Sequence, residues 1–412
     1  MRTSTYTYHT LPNGLRIVIE EMPDVPSAAA GFLARTGARD ETREVAGVSH
    51  FLEHMMFKGT PKRTWHEINS AFDAMGSTYN AFTSNDRTFY YGWVPRDRLR
   101  EQIELLADMM RSTLPPSEFE MEKNVILEEI ARSKDNLVSV AFDVLMEQAF
   151  AGHPLAWPVL GYEETIRSLR RDAMAEYFAR RYAADNLILI VAGNVNPGEV
   201  IGWAEALCGA WAPARDGAVR VAPELRNGRA GQTVSRFQQQ VIMWAFPAPP
   251  GCVDDAELAS ATATILGGDN SRIFWNVVQK GLCPRAGAFH LDFSDAGLMI
   301  LWAMCDPKHC AAAFSAIRGE AERMQSGGVT ADEVTRIRNK RLTSLAAEGE
   351  APYDRLKLIM DDVDYRGRAR TLEERLAVVD AIEPSTVGTY LARYPVTGEG
   401  FLVSVGPSDW RG

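Results

Sequence analysis

The sequence predicts an α+β fold of two homologous domains, each a mostly antiparallel or mixed sheet with helices packed on one face. Three observations predict it. Strand-like runs alternate with helical ones, hairpin-like strand pairs occur among them, and one pattern recurs at a spacing of about 210 residues. In the first copy Tyr177-Phe178-Ala179-Arg180-Arg181-Tyr182 leads into a strand, Leu187–Val191, closed by Gly193. In the second, Tyr390-Leu391-Ala392-Arg393-Tyr394 leads into Phe401–Val405, closed by Gly406. The openings correspond as well. Ala28–Ala34 reads as a strand followed by an acidic turn and a helix, and Val241–Phe246 is followed by Pro/Gly, Asp254-Asp255 and a helix. A repeat this long indicates duplication of a domain and not a solenoid. The Pro/Gly/Arg/Asn-rich stretch Ala212–Gly231 reads as the linker, giving domains 1–220 and 221–412.

Within the first copy, Leu15–Ile19 reads as a strand. Val45–Phe57 is a helix candidate, its apolar residues clustered around His50. Thr64 is placed to cap the next helix, with Glu67 three residues on as its reciprocal partner. Gly76 is placed to end that helix. Tyr79–Phe82 and Thr88–Val94 alternate as two antiparallel strands. Ser117 and Glu120 read as a second capping box, opening a long helix through Glu129 and Ile130.

Composition narrows the class. The 412 residues carry 54 acidic and 44 basic side chains, a formal charge of -10. Such a surface repels phosphates, so nucleic acid is not an expected partner. No apolar run approaches the roughly 18–20 residues of a membrane helix, so no membrane association is expected. No apolar segment precedes the first strand, which points to the cytoplasm, or to the periplasm if a signal has been removed. The cysteines, Cys208, Cys252, Cys283, Cys305 and Cys310, are odd in number and confined to the second half. They do not form a disulfide framework and fit a reducing compartment. Cys305 and Cys310, with His309 between, have the wrong spacing for a metal finger, and the structural reading is preferred.

The string that carries chemistry is His50-Phe51-Leu52-Glu53-His54. On a helix, positions i and i+4 lie one turn apart on one face, so both imidazoles can reach one zinc ion. Glu53 projects toward the same face, placed to act as a base instead of a ligand. The order inverts the commoner H-E-x-x-H motif. Two histidines on a helix can also be ordinary hydrogen-bonded surface groups. A catalytic zinc needs a third protein ligand and an open position. The residues alone leave Glu122, Glu128 and Glu129 in contention. Glu122 and Glu129 are two helical turns apart and share a face, whereas Glu128 is rotated by about 100° from Glu129.

The stretch Gly47-Val48-Ser49-His50-Phe51-Leu52-Glu53-His54-Met55-Met56-Phe57-Lys58-Gly59-Thr60 resembles the active-site helix of the pitrilysin family, which includes insulin-degrading enzyme and the mitochondrial processing peptidase. The resemblance continues through Asn80-Ala81-Phe82-Thr83-Ser84, Val125-Ile126-Leu127-Glu128-Glu129, His153-Pro154 and Gly161, and the duplicated layout matches across nearly the whole chain. It implies a zinc endopeptidase acting on peptides or unfolded segments, with one zinc per chain. His50, His54 and Glu129 become the ligands and Glu53 the general base. Glu122 becomes a support next to the ligands, its bland alternative being a solvated first-turn acid. Asn80, Ala81 and Phe82 become the strand edge on which an extended substrate lies, their bland alternative being strand packing.

The second half departs from the pattern. It has no H-x-x-E-H and is expected to be catalytically silent. The Arg and Tyr that active relatives carry there fall at Val278 and Pro284, with Arg272 and Arg285 nearby but not at the matching positions. This implies a paralogous partner subunit that supplies the pair. The alternative, from a different class, is a non-catalytic assembly subunit like the respiratory-complex core proteins of the same family.

Overall fold

In a computed structural model that describes residues 5–214 and 220–412, the strand-like runs pair into two sheets. The first contains β1 (Tyr6–Thr10), β2 (Arg16–Glu21), β3 (Ser27–Ala34), β4 (Thr78–Thr83), β5 (Thr88–Pro95) and β6 (Leu187–Gly193). Its order is β1-β2-β6-β3-β5-β4, with β2 parallel to β6 and the other pairs antiparallel. The central run Leu187-Ile188-Leu189-Ile190-Val191 is buried throughout, which is why it reads as continuously apolar and not alternating.

The second sheet contains β7 (Gly228–Thr233), β8 (Gln240–Ala248), β9 (Arg285–Asp292), β10 (Gly297–Cys305) and β11 (Phe401–Gly406), in the order β7-β11-β8-β10-β9. Only β7 and β11 run parallel. This is the order and direction of β2-β6-β3-β5-β4, so the duplication read from the sequence is a duplication of topology. β7 begins inside the expected linker. Its sequence, Gly228-Arg229-Ala230-Gly231-Gln232-Thr233, has no apolar alternation, because it is an edge strand held mainly by backbone pairing to β11. The part of that linker at 215–219 lies outside the described residues.

By contact the chain forms two units, and neither is continuous in sequence. The first combines residues up to Ile130 with Trp157–Arg220 and Ala346–Glu373; the second combines Ala131–Ala156, Val221–Leu345 and Glu374–Gly412. A single cut near residue 220 therefore does not separate them. The reason is apolar. In the first unit, alternate residues of β3 face opposite ways: Ala28, Ala30, Phe32 and Ala34 join the main core, while Ala29 and Leu33 join a second cluster. That second cluster is covered by the helix Pro352–Arg366, through Leu356, Ile359, Met360 and Val363. Arg355 on this helix donates to Glu20 on β2 at 2.8 Å, both side chains 3% exposed. Helices thus cover the first sheet on the expected face, and one helix from far along the sequence covers the other.

Five helices of the first half matter for the site: α1 (Val48–Met55), α2 (Trp65–Met75), α3 (Leu99–Met109), α4 (Pro116–Lys134) and α5 (Leu137–Ala149). The expected Thr64/Glu67 capping box is present, and Gly76 ends α2 with φ +64°. The expected box at Ser117 and Glu120 is not the start of α4. Pro116 already lies inside the helix, its fixed φ suiting the first position and its missing N–H needing no cap. The helix α5 belongs to the second unit and packs on β8 and β11.

Candidate metal centre

The helix α1 is eight residues long and two-sided. Val48, Phe51, Leu52 and Met55 are buried, and Phe51 stacks on Phe119 of α4 with ring centroids 4.8 Å apart. That docking turns the face carrying His50, Glu53 and His54 toward α4. The Nε2 atoms of His50 and His54 each lie 3.7 Å from Oε2 of Glu129. One donor atom from each of the three residues falls within 4.8 Å of the others, the one such metal-competent group among the described residues. A tetrahedral ion with N and O ligands at roughly 2.0–2.1 Å sets its donors about 3.4 Å apart, so the residues fit a zinc ion. Glu128 is exposed, as its rotation around the helix requires.

Glu122, on the same face as Glu129, is 6% exposed and accepts from Nδ1 of His54 at 3.0 Å. This is the carboxylate–imidazole pairing that fixes which nitrogen of a ligand histidine faces the metal. Lys58 Nζ sits 2.5 Å from the other Glu122 oxygen. Burial would raise the Glu122 carboxyl, but the bonds from His54 and Lys58 hold it below its usual range. Burial would lower His54, but Glu122, Glu129 and Glu53 together raise it. His50 has no such partner: its Nδ1 is buried without a hydrogen bond, and burial together with His54 pulls its pKa down to about 3. A neutral imidazole is the state a metal takes.

Glu53 accepts from Thr83 Oγ1 at 2.6 Å. Burial pushes its carboxyl up, and the Thr83 bond partly opposes this. Thr83 ends β4, the strand that carries Asn80, Ala81 and Phe82. Among the described residues, β4 is the terminal strand of its sheet and pairs only with β5. Asn80 is exposed, Ala81 and Phe82 are half-buried, and the Ala81 N–H donates to the side-chain oxygen of Asn80 at 2.9 Å. Sequence reasoning missed Thr83 and Lys58 as site residues. Lys58 had a signal, lying four residues beyond His54; Thr83 had none until β4 was placed beside α1.

In the second unit, Val278 ends a short π-helical turn, Phe274–Val278, and Pro284 precedes β9. Arg272 donates to both Glu333 oxygens at 2.6 and 2.7 Å and to the Gly328 carbonyl at 2.9 Å. Arg285 is exposed at the start of β9. The five cysteines are all free thiols, and the sulfurs of Cys305 and Cys310 lie 3.8 Å apart in the interior.

Known proteins resemble this chain along most of its length. Residues 16–163 match the family described as Insulinase (Peptidase family M16), and residues 168–341 match the Peptidase M16 inactive domain. A protein of Bacillus subtilis described as an uncharacterized zinc protease, YmxG, is 29% identical over 402 residues, covering 97% of this chain and 98% of that one. A Streptomyces coelicolor protein, also described as an uncharacterized zinc protease, is 33% identical over 337 residues, covering 79% and 73%. The crystal structure of a protease from Helicobacter pylori superposes with a TM-score of 0.90 at 21% identity, over 98% of this chain and 99% of that one. No described helix is long and apolar enough to cross a membrane. The two family matches follow one another along residues 16–341, and the chain belongs to peptidase family M16.

Proposed function

We propose that the chain is a zinc-dependent endopeptidase that hydrolyses peptides or unfolded segments, and that it works as the zinc-bearing half of a heterodimer. The convergence of His50, His54 and Glu129 on one point, with Glu53 on the same helical face, carries this reading. Zinc held by these three residues supplies Lewis acidity, polarising the scissile carbonyl and acidifying water. The Glu53 carboxylate takes the proton of the attacking water and returns it to the leaving amine. Thr83 holds one of its oxygens, which aims the other. Glu122 and Lys58 keep the Nε2 of His54 presented to the metal.

The substrate lies along β4 as an added strand, held by main-chain bonds near Asn80, Ala81 and Phe82. Main-chain recognition tolerates many sequences, so unfolded segments are the natural class. The expected Arg/Tyr pair is replaced by Val278 and Pro284, and Arg272 is occupied by Glu333. A paralogous subunit carrying that pair would complete substrate binding and the stabilisation of charge on the carbonyl oxygen, a role worth roughly 10²–10³ in rate per donor. The test is zinc analysis plus peptide cleavage by purified chain, alone and with the partner recovered from its native source. One zinc per chain, weak cleavage alone and strong cleavage with partner are expected. Full activity alone, unchanged by partner, would remove the heterodimer and point to Arg285. Absence of zinc would remove the peptidase reading.

A further inference from the structure

The zinc helix has an unusual start. A helix of about two turns is marginal by propensity alone, so what fixes its ends fixes its side chains. Its N-cap is Gly47, with φ +96° and no side chain to cap the first-turn amides. The amides are instead met by Glu41, from the turn before: Gly47 N–H donates to Oε2 at 2.7 Å and Ser49 N–H to Oε1 at 2.7 Å. Glu41 is 5% exposed, and burial pushes its carboxyl up to about 8 against the pull of those two amides. The next residue toward the metal is also held. Ser49 Oγ shares a 2.7 Å hydrogen bond with the Tyr177 hydroxyl, which shares another of 2.8 Å with Thr36. Ser49, Tyr177 and Thr36 are buried.

Resting on the zinc reading above, we infer that Glu41 is a positioning residue for the metal centre: a remote acidic cap that sets the rotation and axial position of α1, and so the place of His50 and His54 against Glu129. The bidentate grip explains the geometry. One bond would leave the helix free to turn about it; two bonds to amides on either side of Val48 do not. The acid also lies at the positive end of the helix dipole, where an oxygen acceptor is favoured. Tyr177 acts in the same sense through Ser49, one residue before the first ligand.

The variants are Glu41→Gln, which places an amide donor against a backbone N–H while keeping the volume, and Tyr177→Phe, which deletes only the hydroxyl. A control, Ile300→Val, loosens the buried core of the other unit. Zinc affinity is read by chelator competition on the full chain, with hydrogen exchange of the Gly47–Phe51 amides and melting of the zinc-free protein alongside. Glu41→Gln is expected to weaken zinc about tenfold, the lower end of what removing support from a ligand costs. It should also speed exchange at Ser49, while the control binds zinc as the parent does. Tyr177→Phe should weaken zinc by a smaller factor, and this variant decides if Glu41→Gln fails to fold. Affinity within twofold of the parent, or an equal loss in the control, overturns the inference. A parent chain that binds no zinc instead overturns the reading beneath it.

Discussion

Residues 1–220 expressed alone will not form a stable unit, although they contain every expected ligand and six of the strands. Removing the later sequence removes the helix Pro352–Arg366, whose Leu356, Ile359, Met360 and Val363 are each no more than 4% exposed against Val18, Leu33, Phe89, Ile188 and Ile190. At ~1.5–3 kcal/mol per buried side chain, these four contribute about 6–12 kcal/mol. That equals most of a typical net stability of about 5–15 kcal/mol. The lost ion pair between Arg355 and Glu20 adds little, since Glu20 regains water when the helix leaves. The assay is a thermal melt followed by circular dichroism, with dye binding to report exposed apolar surface. The fragment should melt broadly and bind dye. A second chain, with residues 346–373 joined to the fragment by a flexible linker, should recover a cooperative transition. A sharp melt of 1–220 within a few degrees of the full chain would refute the reasoning, because the uncovered face would then have cost nothing.

Three further outcomes are expected. Glu129→Gln should lose most bound zinc by elemental analysis while keeping its far-ultraviolet spectrum; full occupancy would pass the third-ligand role to another acid. Glu53→Gln should keep zinc and lose turnover by about 10²–10⁴ or more, because the near-isosteric amide accepts no proton; peptide hydrolysis near the parent rate would place the base elsewhere. Glu122→Gln should weaken zinc about 10–100-fold by loosening His54 and freeing Lys58. Unchanged affinity in a chelator titration would show that the buried carboxylate is only structural.

What the sequence could show was what is local. The spacing of His50, Glu53 and His54, the Thr64/Glu67 cap, the glycine at 76 and the continuous run at Leu187 each follow from short-range periodicity. The seven-residue separation of Glu122 and Glu129 was enough to set them on one face. The exchange of helices was not legible, because the apolar stripe of Leu356, Ile359, Met360 and Val363 says that a helix is covered but not by which sheet. β7 was hidden because an edge strand paired by its backbone leaves no side-chain pattern. Thr83 and Glu41 were hidden because their work depends on neighbours 30 and 8 residues away brought close only by the fold. Ser117 misled because a capping signature sat one residue inside a helix already begun by proline.

The free side of β4 has a consequence for solubility. A strand ending a sheet is a template for any other chain, and proteins ordinarily blunt such edges with bulges, charges or covering loops. Here no described strand covers it, and neither bulge nor charge lies along Thr78–Thr83. Two defences are its six-residue length and the bond by which Asn80 occupies the Ala81 amide. An arriving strand must first break that bond and then match a short register. Copies of the chain crowded together therefore meet a modest threshold against stacking edge to edge, and Asn80→Ala would lower it.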